Sequence, residues 1–457
     1  MTLVQPTRIL VVGGGGREHA LAWKLGSEPG VNEVVVAPGS DAIAAEARVR
    51  CVRGADPLDG PSLVAIARAA SVELAVIGPE APLAAGVADD LRAAGVPVFG
   101  PSAAAARIET SKAFCREVAE AAGVPTAGGA AFDAPAEAVA FARRIAADGD
   151  GVVVKADGLA AGKGVQVCDD AAGAEAAIRG LFDGEAGALV VIEERLSGRE
   201  ASLVVLTDGR DVLALPAARD HKRLLDGDRG PNTGGMGAYS PLPDLPDATA
   251  EALLDAIHRP ILAELARRGS PFRGALYAGL MLTPSGPRLL ECNARLGDPE
   301  TQVTLPRLAV ALGPLLLAAA RGDLLAAARP LGIPGSLLPV TRAAAVGIVL
   351  ASAGYPDARR DQGMRIRGLE LAAALGGLVF HAGTARDSDG FVTAGGRILT
   401  VLGRGPDLAA ARSVAEEAAE TIAFEGATRR RDIAASLPDP VGEVPAREAG
   451  SSPVGVA

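Results

Sequence analysis

The sequence predicts a chain of mixed α/β and α+β class. An open parallel α/β sheet domain comes first, then a central part with a small lid, then a small C-terminal α/β domain. Three observations carry this. Strand and helix patterns alternate over the first hundred residues. The stretch VVVKADGLAAGKG, Val152 to Gly164, runs a short apolar strand into a glycine-rich loop. A Gly-Pro-rich stretch, Pro330 to Pro339, precedes a last group of strands. At 457 residues, the usual ~100–200 residues per domain also gives about three domains.

Arg8 to Val12 is a buried-strand pattern running into glycines, and Ala20 to Leu25 is helical. A strand at Glu33 to Val36, a helix at Ser62 to Ala70 and a strand at Glu73 to Ile77 follow. Pro82 to Ala94 reads as one helix and Val96 to Phe99 as a strand. Such alternation places ligands at the carboxyl ends of the strands. Beyond Ser102 the rhythm changes. Helix Lys112 to Ala122 stops at Gly123, with Pro125 just beyond. Helix Ala136 to Ala147, the strand into Lys155, strand Val165 to Cys168, helix Ala171 to Leu181 and strand Ala188 to Glu193 make the lid. Ala201 to Leu206 and Val212 to Leu215 pair across a turn at Asp208-Gly209. Arg219 to Tyr239 has no periodicity, and a long polar loop inside a domain is usually functional. Helix Ala248 to Arg268 leads to strands Ala275 to Leu282 and Arg288 to Cys292. Strands Ala344 to Val349, Leu378 to His381 and Arg397 to Gly403, with helix Asp407 to Thr421, complete the chain. The division expected is 1–102, 103–326 (lid about 123–192) and 327–436, with a disordered tail over 437–457.

Composition excludes several classes. The net charge of −10 argues against a nucleic-acid or membrane-surface binder, so an anionic substrate needs a local basic pocket. Cys51, Cys115, Cys168 and Cys292 form no CxxC pair, which suits a reducing cytoplasm rather than a disulfide framework or zinc cluster. The apolar run after Arg8 is too short for a signal peptide. Leu308 to Ala320, interrupted by Gly313-Pro314, falls short of the ~20 residues of a membrane helix and reads as a buried helix.

Lysine is the informative residue. The chain has only five: Lys24, Lys112, Lys155, Lys163 and Lys222. Where arginine carries nearly all the basic charge, each remaining lysine marks a place suited to a compact ammonium, such as one beside a phosphate. Lys155 ends a strand, and Lys163 sits in the loop whose backbone N–H groups could fold over phosphates. Gly162-Lys163 is followed by Gly164 and not by Ser or Thr, so the loop is not a P-loop. The run GGGGREHA, Gly13 to Ala20, suits an anion at a helix N-terminus, but lacks the third glycine of a dinucleotide fingerprint. Glu193, Glu194 and Glu200 could hold ribose hydroxyls or form a solvated acidic turn. Glu291 and Asn293, two apart at a strand end, share a face and offer two oxygens suited to Mg²⁺. The run Asp220-His221-Lys222-Arg223 joins cationic groups to the flexible stretch after Asn232. His258 reads as a helix-surface residue and His381 as structural.

These residues resemble the phosphoribosylamine–glycine ligase family of ATP-grasp enzymes of purine synthesis. The motifs GGGGREHALAW, GPEAPLAAG (Gly78 to Gly86), SKAF (Ser111 to Phe114), KADGLAAGKGV, DHKR, GPNTGGMGAYSP (Gly230 to Pro241), LYAGLM (Leu276 to Met281) and ECNARLGDPETQ (Glu291 to Gln302) occur in the family's order. GYP at Gly354, HAGT at His381 and GGR at Gly395 extend the likeness to nearly the whole chain. The resemblance implies an ATP-grasp fold and ligation of glycine to 5-phosphoribosylamine, with ATP as substrate and Mg²⁺ or Mn²⁺ as metal. It implies no nucleic-acid or membrane partner, and the chain is expected to be a monomer. Lys112, Lys155 and Lys163 would contact ATP phosphates, with Gly158, Gly162 and Gly164 in the lid loop. Glu193, Glu194 and Leu196 would border the adenine, Glu200 the ribose, and Glu291 and Asn293 would hold the metal. Gly14, Gly15, Gly16, Glu80, Asp220, Lys222 and Arg223 would surround phosphoribosylamine. Arg295 would take the glycine carboxylate, and Lys155, Arg295 and Asp220 would carry the chemistry.

Three positions depart from the family pattern. Ser40 stands where asparagine is frequent, which removes an amide that both donates and accepts. Cys292 stands where an aromatic residue is common, and Arg219 where glutamine is frequent. Lys155→Arg is expected to lower the ligation rate although charge is kept, because the broader head must fit among phosphates. Wild-type kinetics in a steady-state assay would contradict this.

Overall fold

Strand β1 (Arg8–Gly13) buries aliphatic side chains on both faces, as the central strand of a parallel sheet must. α1 (Gly16–Gly26), β2 (Glu33–Pro38), β3 (Val49–Cys51), α2 (Gly60–Ala69), β4 (Leu74–Ile77), α3 (Glu80–Ala84), α4 (Val87–Ala93) and β5 (Val98–Phe99) follow. The strands form an open sheet in the order β3-β2-β1-β4-β5, and every pair is parallel. β1 and α1 therefore meet where the strand order reverses, the usual ligand position in such sheets. The single helix expected over Pro82 to Ala94 is two, because Gly86 adopts φ 84°, a left-handed conformation that stops α3 and starts α4. The computed structural model describes residues 3–159, 164–184, 188–357 and 362–437. Gly162, Lys163 and the tail beyond Leu437 lie outside the described residues.

Two helices, α5 (Ala103–Thr110) and α6 (Lys112–Ala121), lead into the central part. Each begins at a serine, Ser102 or Ser111, whose hydroxyl accepts an N–H of the first turn. β6 (Gly129–Phe132), α7 (Pro135–Asp148), β7 (Val152–Ala156), β8 (Val165–Cys168), α8 (Ala171–Gly184) and β9 (Val190–Glu194) build an antiparallel sheet in the order β6-β9-β7-β8. This unit has its own core. Val152, Val154, Val190 and Ile192 pack on Ala138 and Ala142 of α7 and on Ala174 and Ile178 of α8. Strand alternation then turns Val153 and Lys155 to the other face.

β10 (Arg199–Thr207) and β11 (Val212–Ala214) form the expected hairpin. The stretch read as an aperiodic loop contains four short strands: β12 (Arg219–Asp220), β13 (Arg223–Leu225), β14 (Arg229–Asn232) and β15 (Gly237–Ser240). α9 (Asp247–Leu253) and α10 (Arg259–Arg267) are joined by a π-helical turn, Leu254–His258, just before Pro260. A proline has no N–H and crowds the carbonyl four residues back, which a wider turn relieves. β16 (Gly274–Thr283) and β17 (Gly286–Asn293) complete a sheet in the order β11-β10-β16-β17. After α11 (Glu300–Thr304), α12 (Gly313–Arg321) places Leu315 and Leu316 in one core with Ile9 and Val11, covering one face of the first sheet. α13 (Leu324–Ala328), β18 (Ala344–Ala351), α14 (Leu369–Ala374), β19 (Leu378–His381), β20 (Thr384–Asp387), β21 (Gly390–Thr393), β22 (Arg397–Gly405) and α15 (Leu408–Thr421) follow. Their main sheet, β12-β15-β18-β22-β19, takes two strands from the 219–240 stretch. That stretch is therefore tied to the C-terminal sheet. Arg219 anchors it by a buried ion pair with Asp244 (2.8 Å) and a hydrogen bond to the Tyr239 hydroxyl (2.8 Å).

His258 is fully buried, contrary to the helix-surface expectation, because the π turn rotates it inward onto the Leu203 carbonyl (3.2 Å). Burial pushes its imidazole down to about 4. A depressed histidine stabilises the fold fully above its unfolded value of 6.5, and the contribution is lost as pH falls toward 4. Its upper limit is about 3–4 kcal/mol at ~1.4 kcal/mol per unit. Thermal unfolding followed from pH 7 to pH 4 should show a falling midpoint, with a shallower slope in His258→Gln.

Candidate active site

A cavity of about 760 Å³ is lined by residues of all three parts of the chain. The nucleotide-side groups expected from the sequence meet here. Lys155 and Glu193 lie diagonally across the β7–β9 ladder on one face, where Lys155 pairs with Val191 and Val153 with Glu193. Their charges are 2.6 Å apart, and Arg116 reaches Glu193 at 3.2 Å. The Lys155 ammonium also donates to the Leu290 carbonyl at 3.0 Å. Leu290 is free to accept because the β16–β17 register shifts there: Gly279 faces Glu291 and Leu280 faces Leu289. Lys112, at the start of α6, donates to the Gly158 carbonyl at 2.7 Å. Burial lowers its affinity for a proton. Leu196, Glu194, Glu200 and Gly164 also line the cavity, and Glu194 accepts the Gly128 N–H at 2.7 Å.

Glu291 and Asn293 project from β17 into the same cavity. Gly279 makes the room, since a Cβ there would stand 3.0 Å from Cγ of Glu291. Lys222 donates to Glu291 at 3.1 Å and lies 3.5 Å from Glu200. The Lys222 charge is the main reason that the Glu291 carboxyl sits at about 2. Among the described residues no group of three or more His, Cys, Asp or Glu could hold a metal alone. One carboxylate and one amide oxygen suit a hard cation that keeps water and shares phosphate oxygens.

The far end holds Arg295, between Glu80 (3.2 Å) and Glu109 (3.1 Å). Burial would raise the Glu80 carboxyl, but Arg295 and Arg17 outweigh it and hold it low. Glu109 stays raised, because its deeper burial outweighs Arg295. Asp220 is half-buried, and its buried Oδ1 has no hydrogen-bond partner among the described residues. Burial, reinforced by Glu300, pushes its carboxyl well above the ordinary range. The 232–237 turn holds Lys222 in place through Thr233, whose hydroxyl donates to the Lys222 carbonyl at 2.8 Å. Arg223 lines the cavity while bracing its hairpin through the Gly230 carbonyl at 2.8 Å.

Gly14, Gly15 and Gly16 are not part of the cavity wall; Arg17, next in sequence, is. The glycines allow close packing. A Cβ on Gly14 would meet the Gly39 carbonyl at 2.9 Å, and one on Gly16 the Gln302 amide at 2.8 Å. Ser40 accepts the Ile43 N–H at 3.2 Å. Lys24 lies away from the cavity, bonded to the Val310 carbonyl (3.2 Å) and 3.7 Å from Glu28. Residues unassigned from sequence are Arg17, Glu109, Glu300, Tyr355 and Arg397, all in the cavity wall. Arg397 binds Asp298 (2.9 Å) and the Gly234 carbonyl, and Tyr355 accepts the Gly234 N–H (2.9 Å). Their one signal was the run of late motifs, GYP and GGR, that contain them.

An open parallel sheet, an antiparallel lid carrying an inward lysine, and a sheet ending in a carboxylate–amide pair define an ATP-grasp enzyme. Residues 7–109, 110–301 and 345–436 match the N, ATP-grasp (A) and C domains of phosphoribosylglycinamide synthetase. The chain is 47% identical to the phosphoribosylamine–glycine ligase of Caulobacter vibrioides, over 93% of this chain and 97% of that protein. It is 48% identical to that of Streptomyces coelicolor, over 94% and 99%. The crystal structure of the Thermotoga maritima phosphoribosylamine–glycine ligase superimposes with a TM-score of 0.76 at 35% identity, covering 93% and 100%. A biotin carboxylase domain from Hydrogenobacter thermophilus (TM-score 0.66, 19% identity, 93% and 92% covered) shares the fold alone. The chain belongs to the phosphoribosylglycinamide synthetase family.

Lys222→Met removes the charge that holds Glu291 at about 2. The Glu291 carboxyl should move up toward its usual range. The acid limb of the kcat/KM profile against pH should then shift to higher pH, whatever the loss in absolute rate. An unmoved limb would contradict this electrostatic role.

Proposed function

We propose that the chain joins glycine to 5-phosphoribosylamine at the expense of ATP, giving glycinamide ribonucleotide, ADP and phosphate. The observation that carries this reading is the single cavity in which Lys155, Lys112, Glu291 and Asn293 face Arg295, Asp220 and Lys222. Family membership supplies the substrate class. In this reading the glycine carboxylate attacks the γ-phosphate of ATP to give glycyl phosphate. The amine of phosphoribosylamine then attacks the activated carbonyl and phosphate leaves.

No protein nucleophile is required. Positioning and neutralisation of developing charge account for most of the rate. Lys155 and Lys112 face the phosphates, with Gly158, Gly162, Lys163 and Gly164 as the covering loop. Glu193, Glu194 and Leu196 border the adenine and Glu200 the ribose. Arg295, oriented by Glu80 and Glu109, takes the glycine carboxylate. Asp220, with an unpartnered oxygen, accepts from a substrate amine. Lys222, Arg223 and Glu80 serve phosphoribosylamine, with Arg17 in the cavity wall where the Gly14–Gly16 turn itself is not. Glu291 and Asn293 would hold Mg²⁺ or Mn²⁺. When bound, that ion supplies positive charge against the transferring phosphoryl group. The divisions 1–102, 103–326 (lid about 123–192) and 327–436 belong to the same reading, as do a monomeric state and a cytoplasmic location. Among the described residues, no helix is long and apolar enough to cross a membrane.

Product analysis with Mg-ATP, glycine and freshly prepared phosphoribosylamine should show glycinamide ribonucleotide and glycine-dependent ADP. ADP release stimulated by bicarbonate and not by glycine would overturn the reading. Glu291→Ala should lose most turnover, on the order of 100-fold or more as for loss of a charge-stabilising group. Full activity at saturating Mg²⁺ would contradict the role given to Glu291.

A further inference from the structure

The run Arg429-Arg430-Arg431-Asp432, after the last helix, is no part of the cavity wall. Its side chains part in two directions. Arg429 pairs with Glu416 at 2.7 Å and Arg431 with Glu420 at 3.1 Å, both on α15. Arg412 of α15 also donates to the Arg431 carbonyl (2.7 Å) and the Ile433 carbonyl (3.1 Å). The segment is thereby pinned to the C-terminal domain. Arg430 and Asp432 turn instead to the β13–β14 hairpin. The Arg430 side chain is 1% exposed. It donates to Asp432 (2.6 and 2.7 Å), to Asp228 (2.6 Å) and to the Arg223 carbonyl (3.2 Å). Asp432 accepts the Gly227 N–H at 2.8 Å, and Asp226 accepts the Arg431 N–H at 2.7 Å.

β13 and β14 form a two-stranded sheet of their own. A lone hairpin is marginal in water and depends on what it packs against. This one carries Arg223 and Asn232, a cross-strand pair of which both members line the cavity. We propose that Arg430 is a positioning residue for phosphoribosylamine: it ties the β13–β14 hairpin to the C-terminal domain and so holds Arg223 at the cavity wall. Arginine suits this task, because one planar fork meets two carboxylates and a carbonyl together, where an ammonium is a point charge on a flexible stem. Its contact is with the Arg223 backbone, which leaves the Arg223 guanidinium to the Gly230 carbonyl and the cavity. Lys112, Lys155 and Glu193 stand on other elements, α6, β7 and β9. Losing Arg430 therefore bears on one substrate rather than on all three. The identity of that substrate rests on the functional reading above; the anchoring of the hairpin does not.

Full-length Arg430→Met, Arg430→Lys and Asp432→Ala would be compared with the wild-type protein. Hydrogen exchange of the hairpin amides between Arg223 and Asn232, read by mass spectrometry, reports the anchoring directly. Exchange there should quicken in Arg430→Met, while peptides of β7 and β9 keep their protection. Its KM for phosphoribosylamine should rise about 10- to 100-fold, the scale of a small misplacement caused from a distance. KM for ATP and for glycine should stay at wild-type values, and kcat should change far less than that one KM, a split that a general folding defect does not produce. Arg430→Lys should fall between, since it keeps the charge and loses the fork. Asp432→Ala cuts the same tie at a half-buried residue and should move the same KM, even where Arg430→Met fails to fold. Unchanged hairpin exchange in the folded variants, or a rise shared equally by all three KM values, would overturn the proposal. So would faster exchange with an unaltered KM for phosphoribosylamine. Wild-type protein that makes no glycinamide ribonucleotide would sink the functional reading instead, and the exchange result would still report on the anchoring.

Discussion

The site depends on one half-buried guanidinium. Arg295 follows directly on the strand that carries Glu291 and Asn293, and it is gripped by Glu80 from the first sheet domain and Glu109 from α5. The two carboxylates make its partial burial tolerable and fix its direction. The same contact joins the parallel sheet domain to the central sheet, so the geometry of the cavity and the packing of the two parts are a single constraint.

Around that anchor, strand periodicity does most of the placing. β7 divides its residues between a small apolar core and the cavity, which is how one valine-rich strand both folds the lid and presents Lys155. The register shift in β17 frees the Leu290 carbonyl for that lysine, with the Glu291 and Asn293 face just beyond it. Gly279 leaves space for Glu291, and Lys222 neutralises it. Lys222 itself is held by a turn that leads into β15, a strand of the C-terminal sheet. A charge in the middle of the site is thus positioned by the last part of the chain.

The elements legible in the sequence were those with strong local signals: alternating strands and helices, glycine stops, and the rare lysines. Four of the five lysines were read as marking the site. Lys112, Lys155 and Lys222 line the cavity, and Lys24 is a helix residue bonded to a carbonyl and a glutamate. The 219–239 stretch was read as a loop because its strands are two to four residues long, too short to show a period. His258 was misjudged because the turn that rotates it inward is wider than the regular helix assumed. Glu109 was invisible, since an acid on a helix looks solvated until a guanidinium is found opposite it.

By itself, then, the sequence determined the three-part α/β and α+β plan, the cavity-facing lysine, the carboxylate–amide pair and the family. These follow from near-neighbour periodicity and from short motifs whose chemistry is contained in a few adjacent residues. Tertiary structure alone decided that Lys222 lies on Glu291, that Glu80 and Glu109 share Arg295, and that Arg397 and Tyr355 brace the Gly234 turn. Each is a contact between residues tens to hundreds of positions apart. Side-chain electrostatics and packing, which act through space and leave no local pattern, determine such contacts.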